Sequence, residues 1–363
     1  MDVVRKRVTK VGSGAWSIYL PKKWIDAWTP EQQASREVEL RRISQSILIS
    51  PVHQARRLEA TAPDHGDAVI ALLLSGYIRG DHHVVLSPET EFGNDTIAAA
   101  RDFLRHLDER IVADSRPGVI SFTLRADLPP PAHADDVLTV LGAKVAEVLR
   151  LAQDAIRTNG HDPDRTLHAL RLLRDTKAED VDRLFYQAAR LVATLEIPLE
   201  SVSRYQLLGL AAADLQRMAD QALRMADTVL TDMDLTRTDL DYPRDHLLQR
   251  LRPPPPPTGI ARALVGACSQ GFDDVAALLD RILPALAGRD VAACAAIEHD
   301  ADQAREALQQ RVLDNVAEHW GTNTDAQAAM AAFTASKHAT ALQNIMDHQA
   351  SICRHAIGLL AAA

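Results

Sequence analysis

Apolar residues recur at helical spacing through most of the C-terminal two thirds of the chain. The pattern predicts six long helices, over 135–158, 163–195, 199–230 (or from 202), 259–287, 290–319 and 325–361. In the third helix the apolar residues Leu208, Leu215 and Val229 belong to one stripe with alternating steps of four and three, which is typical of a bundle seam. Three helices, a break and three more helices predict two three-helix bundles in tandem.

The third helix of each predicted bundle carries the same polar spacing. Residues 215–222 read LQRMADQA and residues 342–349 read LQNIMDHQ, so Leu, Gln and Asp recur in the same order at the same intervals. On a helical wheel, Gln216 and Asp220 fall to one side of the apolar seam, as do Gln343 and Asp347. We therefore predict that these four residues lie on outward-facing polar stripes.

The first third of the chain has a different pattern. Residues 1–51 predict short strands, with a Gly-containing turn, a helix that starts at Lys22 and a hairpin over 37–49. Residues 66–128 predict an αβαβ domain, and prolines at 129–131 and 253–257 mark breaks. The fold class is therefore mainly α: two tandem three-helix bundles behind a small α/β domain and a β-rich N-terminal domain. The domain limits that we predict are 1–52, 66–128, 134–233, 234–257 (a Pro-rich linker) and 258–361.

Charge is segregated along the chain. The whole chain has a net charge of −9, but residues 1–24 carry +5 and the remainder −14. Clustered Lys and Arg side chains neutralise phosphates, so a DNA-binding face is predicted; the alternative is a solvated strand edge that lysines protect from aggregation. The basic residues in question are Arg5, Lys6, Arg7, Lys10, Lys22 and Lys23. A β-rich domain this small needs a partner to bury enough surface, which predicts a homodimer.

Several function classes are disfavoured. The three cysteines are widely spaced, which indicates reduced thiols and a cytoplasmic protein. Apolar runs in the first third are too short to cross a bilayer, so no stable membrane insertion is expected. No nucleophile constellation or pair of catalytic carboxylates emerges, so the chain is not predicted to be an enzyme.

The N-terminal segment resembles a known family. Residues 5–28, RKRVTKVGSGAWSIYLPKKWIDAW, resemble the AbrB/SpoVT/MazE swapped-hairpin family in their basic first strand, glycine turn, hydrophobic strand and Leu-Pro-Lys before a short helix. In that family two chains interlock and basic residues of the N-terminal strands contact DNA, although several members use the module only to dimerise or to bind protein. The resemblance implies a dimer with DNA contacts at the six basic residues.

The helical part, residues 135–361, resembles the PhoU family. LQRMADQA is similar to that family's Leu-Glu-Arg-Ile-(Gly/Ala)-Asp-His-Ala segment, and residues 180–186, DVDRLFY, resemble its middle helix. With the N-terminal module, the layout is similar to that of archaeal-type AbrB–PhoU fusions. The resemblance implies control of phosphate uptake or phosphate-starvation signalling, with a phosphate transporter or its sensor kinase as partner.

Many PhoU-family proteins bind iron or zinc through acidic pairs four residues apart. The resemblance places such pairs at four positions, and only Glu298 with Asp302 is intact. At the other three positions Asp182, Asp220 and Asp347 are present, but the partner residues are Ala178, Gln216 and Gln343. Two interpretations stay open: an iron or zinc site at these carboxylates, assisted by His299 and His348, or a polar stripe that is either solvated or used for protein docking.

Together these observations predict a phosphate-responsive regulator that binds DNA through its N-terminal basic strands. The alternative is a dimeric adaptor that does not bind DNA and docks its bundles on a phosphate transporter or sensor kinase.

Overall fold

The structure is a computed structural model of the chain. It describes residues 9–11, 15–17, 22–26, 38–43, 46–51, 57–108, 110–125, 134–159, 161–194, 202–243, 247–248, 259–320 and 326–360. Arg5, Lys6, Arg7 and the prolines at 129–131 and 253–257 lie outside these residues.

The N-terminal part contains two antiparallel hairpins and one short helix. Strand β1 (Thr9–Val11) pairs with β2 (Ala15–Ser17), and Lys10 lies opposite Trp16. Helix α1 (Lys22–Ile25) follows, and then β3 (Val38–Ile43) pairs with β4 (Ser46–Pro51). This is the order of elements that the sequence predicts.

The α/β domain has more strands than the sequence predicts. Its elements are β5 (Arg57–Ala62), α2 (Gly66–Arg79), β6 (His83–Pro88), α3 (Asn94–Leu107), β7 (Ile111–Arg116) and β8 (Val119–Leu124). The sheet order is β5-β6-β8-β7, with β5 parallel to β6 and the other pairs antiparallel.

The predicted αβαβ pattern was therefore wrong in omitting β5 and β7. Both are edge strands, and edge strands need little buried apolar surface. In β7 none of the six side chains is buried and three are exposed, including Val112 at 57%, so the alternation that identifies a half-buried strand is missing. Strand β5 also begins ahead of residue 66, the predicted start of the domain.

The remaining elements are helical. They are α4 (Ala134–Thr158), α5 (Pro163–Asp175), a π-helical turn (Thr176–Val181), α6 (Asp182–Thr194), α7 (Val202–Asp232), a 3-10 turn (Arg237–Asp241), α8 (Gly259–Gly288), α9 (Val291–Trp320) and α10 (Ala326–Leu360). The six predicted helices are confirmed, with two differences: the π turn interrupts the second, and the first part of the predicted linker is packed. Leu235, Leu240 and Leu247 are buried in the core there.

The two bundles share one hydrophobic core. Helix α7 packs along α10, and α4 packs along α8. The predicted seam is confirmed, since Leu215 in α7 and Leu342 in α10 are both fully buried. Gly142 lets α4 approach α8 closely, because a Cβ atom there would lie 2.6 Å from Leu283.

The α/β domain docks on α6, in the middle of the first bundle. The rings of Phe103 and Tyr186 meet edge to face at 6.3 Å. The Arg190 guanidinium lies 4.9 Å from the Tyr77 ring and donates a hydrogen bond to the Tyr77 carbonyl oxygen. None of the described helices combines the length and apolar character needed to cross a membrane.

Replacing Leu215 by Ala is expected to lower the free energy of unfolding by about 2–5 kcal/mol, because it opens a cavity in the shared core. Leu210→Ala on the same helix is the matched control, since Leu210 is 41% exposed, and we expect it to cost much less. Urea denaturation followed by circular dichroism measures both. Equal losses for the two variants would contradict the assigned packing.

Candidate functional site

The acidic residues of the third helices lie at the surface, beside the middle helices. The side chains of Asp220 and Asp347 are 40% and 46% exposed, and each contacts a cation of the middle helix. The sequence pattern located them outside the seam, but it did not show that a cation of the middle helix reaches them.

In the first bundle, the cation of Lys177 lies between two of the predicted carboxylates. Its Nζ is 2.5 Å from Asp182 Oδ1 and 2.9 Å from Asp220 Oδ1, and only 6% of the Lys177 side chain is exposed. The Gln216 amide donates weakly to the same Asp182 oxygen, at 3.4 Å. The Asp182 and Asp220 carboxylates, which were predicted to bind a metal, are therefore already neutralised by the Lys177 ammonium group.

Lys177 occupies this position on the π turn between α5 and α6. A π turn holds one more residue than an α-helical turn, so it changes which side chains face a neighbouring helix. The turn is also fixed from outside by ion pairs of Asp180 with Lys144, at 3.0 Å, and with Arg183, at 2.9 Å.

In the second bundle, arginines fill the corresponding role. Arg305 of α9 contacts Asp347 of α10 at 2.8 Å and Asp302 at 3.7 Å. Arg354 of α10 contacts Glu298 of α9 at 2.9 Å. The intact acidic pair is therefore divided between two guanidinium groups.

These contacts do not fit an iron or zinc centre. At these positions the expected metal ligands are carboxylates, and here each carboxylate faces a positive side chain that would repel the metal. Neither histidine assists: His299 is exposed and contacts Gln303, and His348 contacts Asp214 instead. Within the described ranges, no group of three or more His, Cys, Asp or Glu side chains is arranged to hold a metal.

Asp214 is a functional-site candidate that the sequence reasoning missed. It lies on α7 where α7 meets α10, and 3% of its side chain is exposed. Its Oδ1 is 3.0 Å from His348 Nδ1 and 3.1 Å from Arg217 Nη1, and its Oδ2 is 3.7 Å from His355 Nε2. Burial alone would raise the pKa of Asp214, but hydrogen bonds from His348, Ser351 and Arg217 and the nearby charge of His348 lower it.

A second apolar stripe on α7 was the signal for this site. Ala211, Met218 and Met225 are buried, and they share a helix face with Asp214. A helix with two buried faces packs on two neighbours, so a charged residue within the second stripe must find partners there.

The predicted DNA-binding residues are placed only in part. Lys10 lies in β1, and Lys22 and Lys23 lie exposed on α1. Arg5, Lys6 and Arg7 fall outside the described residues. DNA contact at these six positions stays a prediction.

Removing the buried ammonium tests the charge pairing of the first bundle. Lys177→Ala leaves Asp182 and Asp220 without their cation, and we expect a loss of about 1–3 kcal/mol, reduced by the partial exposure of both carboxylates. We also expect the variant to gain Mn²⁺ binding that the wild type lacks, because two carboxylates then face a vacant position. Calorimetric titration with Mn²⁺ measures the gain.

Arg150→Ala is the control for Lys177→Ala, because it removes an exposed cation from the same bundle. Equal Mn²⁺ binding by wild type and Lys177→Ala would contradict the assignment of Lys177 as the cation that neutralises Asp182 and Asp220.

The lowered pKa of Asp214 predicts that the stability of the fold decreases at acid pH. Since its pKa is lowered in the folded state, ionised Asp214 stabilises the fold above the ordinary carboxyl pKa of about 4, and this stability is lost as the pH falls through the lower folded-state pKa. Asp214→Asn should be less stable at pH 7 by about 1–3 kcal/mol, with a difference from wild type that narrows in acid. Denaturation curves at a series of pH values measure it.

The control is Asp280→Asn, at an exposed position on α8. Parallel pH profiles for wild type and Asp214→Asn would show that Asp214 does not contribute in this way.

No protein-family model and no curated protein sequence matches the chain. Among solved structures, the chain is similar to the crystal structure of PhoU from Pseudomonas aeruginosa, with a TM-score of 0.44 and 15% sequence identity. The aligned region covers 63% of this chain and 97% of that chain.

Proposed function

We propose that this chain is a PhoU-like regulator of phosphate uptake or phosphate-starvation signalling, and that it binds DNA through its N-terminal basic strands. In this proposal it acts as a cytoplasmic homodimer, is not an enzyme and needs no metal in its bundles.

The observation that carries the proposal is the duplicated bundle. The two Leu-Gln-x-x-x-Asp segments that resemble the PhoU family lie on α7 and α10, and these two helices pack on each other at the centre of the helical part. Both copies therefore take equivalent places in the fold, which supports a shared origin for the two bundles.

DNA binding is supported by charge and by the order of the N-terminal elements. The +5 of residues 1–24 is opposed to −14 in the remainder, so a dimer would concentrate positive charge in one region of an acidic molecule. A strand pair followed by a short helix is the order that the resemblance to the swapped-hairpin family implies for residues 5–28.

A physical connection runs from the α/β domain to the bundles. The α/β domain packs on α6 through Phe103 and Tyr186, and α6 follows the π turn directly. Burial raises the pKa of Tyr186, and the nearby charges of Asp182 and Asp220 raise it further, so this contact lies close to the Lys177 ion pairs. A change in the packing of α7 on the middle helix would thus act on the surface that holds the α/β domain.

The adaptor function is favoured by exposed apolar side chains on the second bundle. Leu313 on α9 and Met330 and Phe333 on α10 are 54%, 60% and 57% exposed. Met330 and Phe333 lie three residues apart and therefore on one face of α10, and a contiguous exposed apolar patch is typical of a protein-docking surface. A transporter subunit or sensor kinase is the partner that the PhoU resemblance implies for such a surface.

A gel-shift titration of labelled genomic fragments tests DNA binding. We expect the full-length protein to shift DNA at low salt. Changing Arg5, Lys6, Arg7 and Lys10 to Glu should abolish the shift, because each phosphate contact that is lost also loses the favourable release of counterions from the DNA. The logarithm of the binding constant should fall with the logarithm of salt concentration by about 0.9 for each phosphate contacted.

The matched control is a fourfold reversal to Glu at exposed arginines elsewhere, namely Arg105, Arg150, Arg157 and Arg289. It changes the net charge equally and should retain most of the DNA affinity. If both variants lose binding alike, net charge and not the N-terminal strands is responsible. If wild type shifts no fragment but retains a purified transporter ATPase or sensor kinase, the adaptor function replaces the regulator function.

A further inference from the structure

A cavity of about 330 Å³ lies between the two bundles, on the side of α7 that faces α10. It is further along α7 than Asp214 and separate from the ion pairs of the middle helices. Residues on successive turns of α7 and in the first half of α10 form its walls, so both bundles contribute to it.

Among the described residues, the charged lining of this cavity is positive. Arg224 of α7 and Lys337 of α10 line it, and none of the described lining residues is acidic. No hydrogen bond or ion pair joins the exposed Arg224 guanidinium to the described part of the chain. Lys337 Nζ lies 4.5 Å from the centre of the Phe333 ring, a contact that leaves its hydrogen-bond donors available.

The acidic residues nearest in sequence are held by other groups. Arg237 binds both oxygens of Asp227, with Nε 2.6 Å from Oδ1. Asp232, which attracts Lys337 electrostatically, accepts long hydrogen bonds from Thr334 and Asn159, and burial raises its pKa. The two cations therefore lack a carboxylate partner inside the cavity.

The neutral polar lining adds further donors. Ser336, Asn344 and Gln221 line the cavity, and their side chains make no hydrogen bond with other described residues. The hydroxyls of Thr228 and Thr340, by contrast, donate to carbonyl oxygens of their own helices, at 3.1 Å and 2.9 Å. Two cations and three free donor side chains match a ligand whose several oxygens all accept hydrogen bonds.

The size and the apolar wall indicate how large such a ligand is. A volume of about 330 Å³ lies at the lower end of the range of about 300–1,000 Å³ for small-molecule pockets. Met225 and the exposed Phe333 ring add an apolar wall beside the donors. The planar guanidinium of Arg224 suits the paired oxygens of a phosphate group.

We propose that this cavity binds a small phosphate-bearing anion, either inorganic phosphate or the phosphate group of a small phosphorylated molecule, between Arg224 and Lys337. Because the walls belong to different bundles, the bound anion draws α7 and the first half of α10 together and stabilises the pairing of the bundles. The inference rests on the proposed function only for the choice of phosphate as the first probe.

Calorimetric titration of the full-length protein tests this site, with inorganic phosphate, AMP and adenosine as probes at constant ionic strength. We expect saturable binding of phosphate or AMP and none of adenosine. The probe that binds more tightly identifies free phosphate or a phosphorylated molecule as the natural type of ligand. Arg224→Gln and Lys337→Gln should each weaken binding at least about tenfold, because each removes a charge-assisted contact.

Arg105→Gln, at an exposed position on α3, is the matched control and should leave binding unchanged. Circular dichroism melting confirms that each variant is folded, which is expected because Arg224 and Lys337 are exposed. The proposal is overturned if neither phosphate nor AMP binds, or if an Arg224→Gln, Lys337→Gln double variant binds as wild type does.

The gel shift in phosphate-free buffer keeps the two proposals apart. DNA binding without anion binding overturns the cavity site alone. Anion binding without DNA binding leaves the cavity site standing and removes the DNA-binding function.

Discussion

The packing of α7 against α10 is the contact on which the rest of the helical structure depends. Each helix buries one face inside its own bundle and another against its counterpart, so Leu215 and Leu342 belong to one continuous core. A helix buried on two faces has little surface left for polar residues. The polar positions of α7 and α10 that lie against neighbouring helices must therefore find partners there, and this requirement explains the charged contacts of Asp214, Asp220 and Asp347.

The chain meets this requirement with its own cations. Partly buried carboxylates cost free energy unless they are paired, and Lys177, Arg305 and Arg354 supply the positive charge that Asp220, Asp347 and Glu298 need. Only Glu298 and Asp302 keep the spacing of an acidic pair, and Glu298, Asp220 and Asp347 all form ion pairs between helices. Where α7 and α10 meet directly, Asp214 with His348 follows the same rule.

The sequence predicted the parts of the fold that depend on local periodicity. The six helices, the seam through Leu215 and the order of the N-terminal strands all follow from spacing along the chain. The π turn could not be predicted, because one extra residue in a helical turn leaves the apolar pattern nearly unchanged. Strand β7 was missed because its side chains show little alternation between apolar and polar residues. Strand β5 does alternate, with every second side chain more buried, and could have been predicted.

The candidate site was harder to predict than the fold. Spacing correctly grouped Gln216 with Asp220 and Gln343 with Asp347, but the partners that decide their chemistry are distant in sequence. Lys177 is 43 positions from Asp220, and Arg305 is 42 positions from Asp347. Asp214 was missed for another reason. Helix α7 has two buried faces, and the apolar spacing through Leu215 identifies only one of them.

The most direct test of this account is the metal content of the full-length protein, purified without chelator and measured by elemental analysis. If Lys177, Arg305 and Arg354 neutralise the acidic positions, iron, zinc and manganese should each be far below one atom per chain. One or more iron or zinc atoms per chain, retained through gel filtration and lost when Asp220 and Asp347 are changed to Ala, would contradict it.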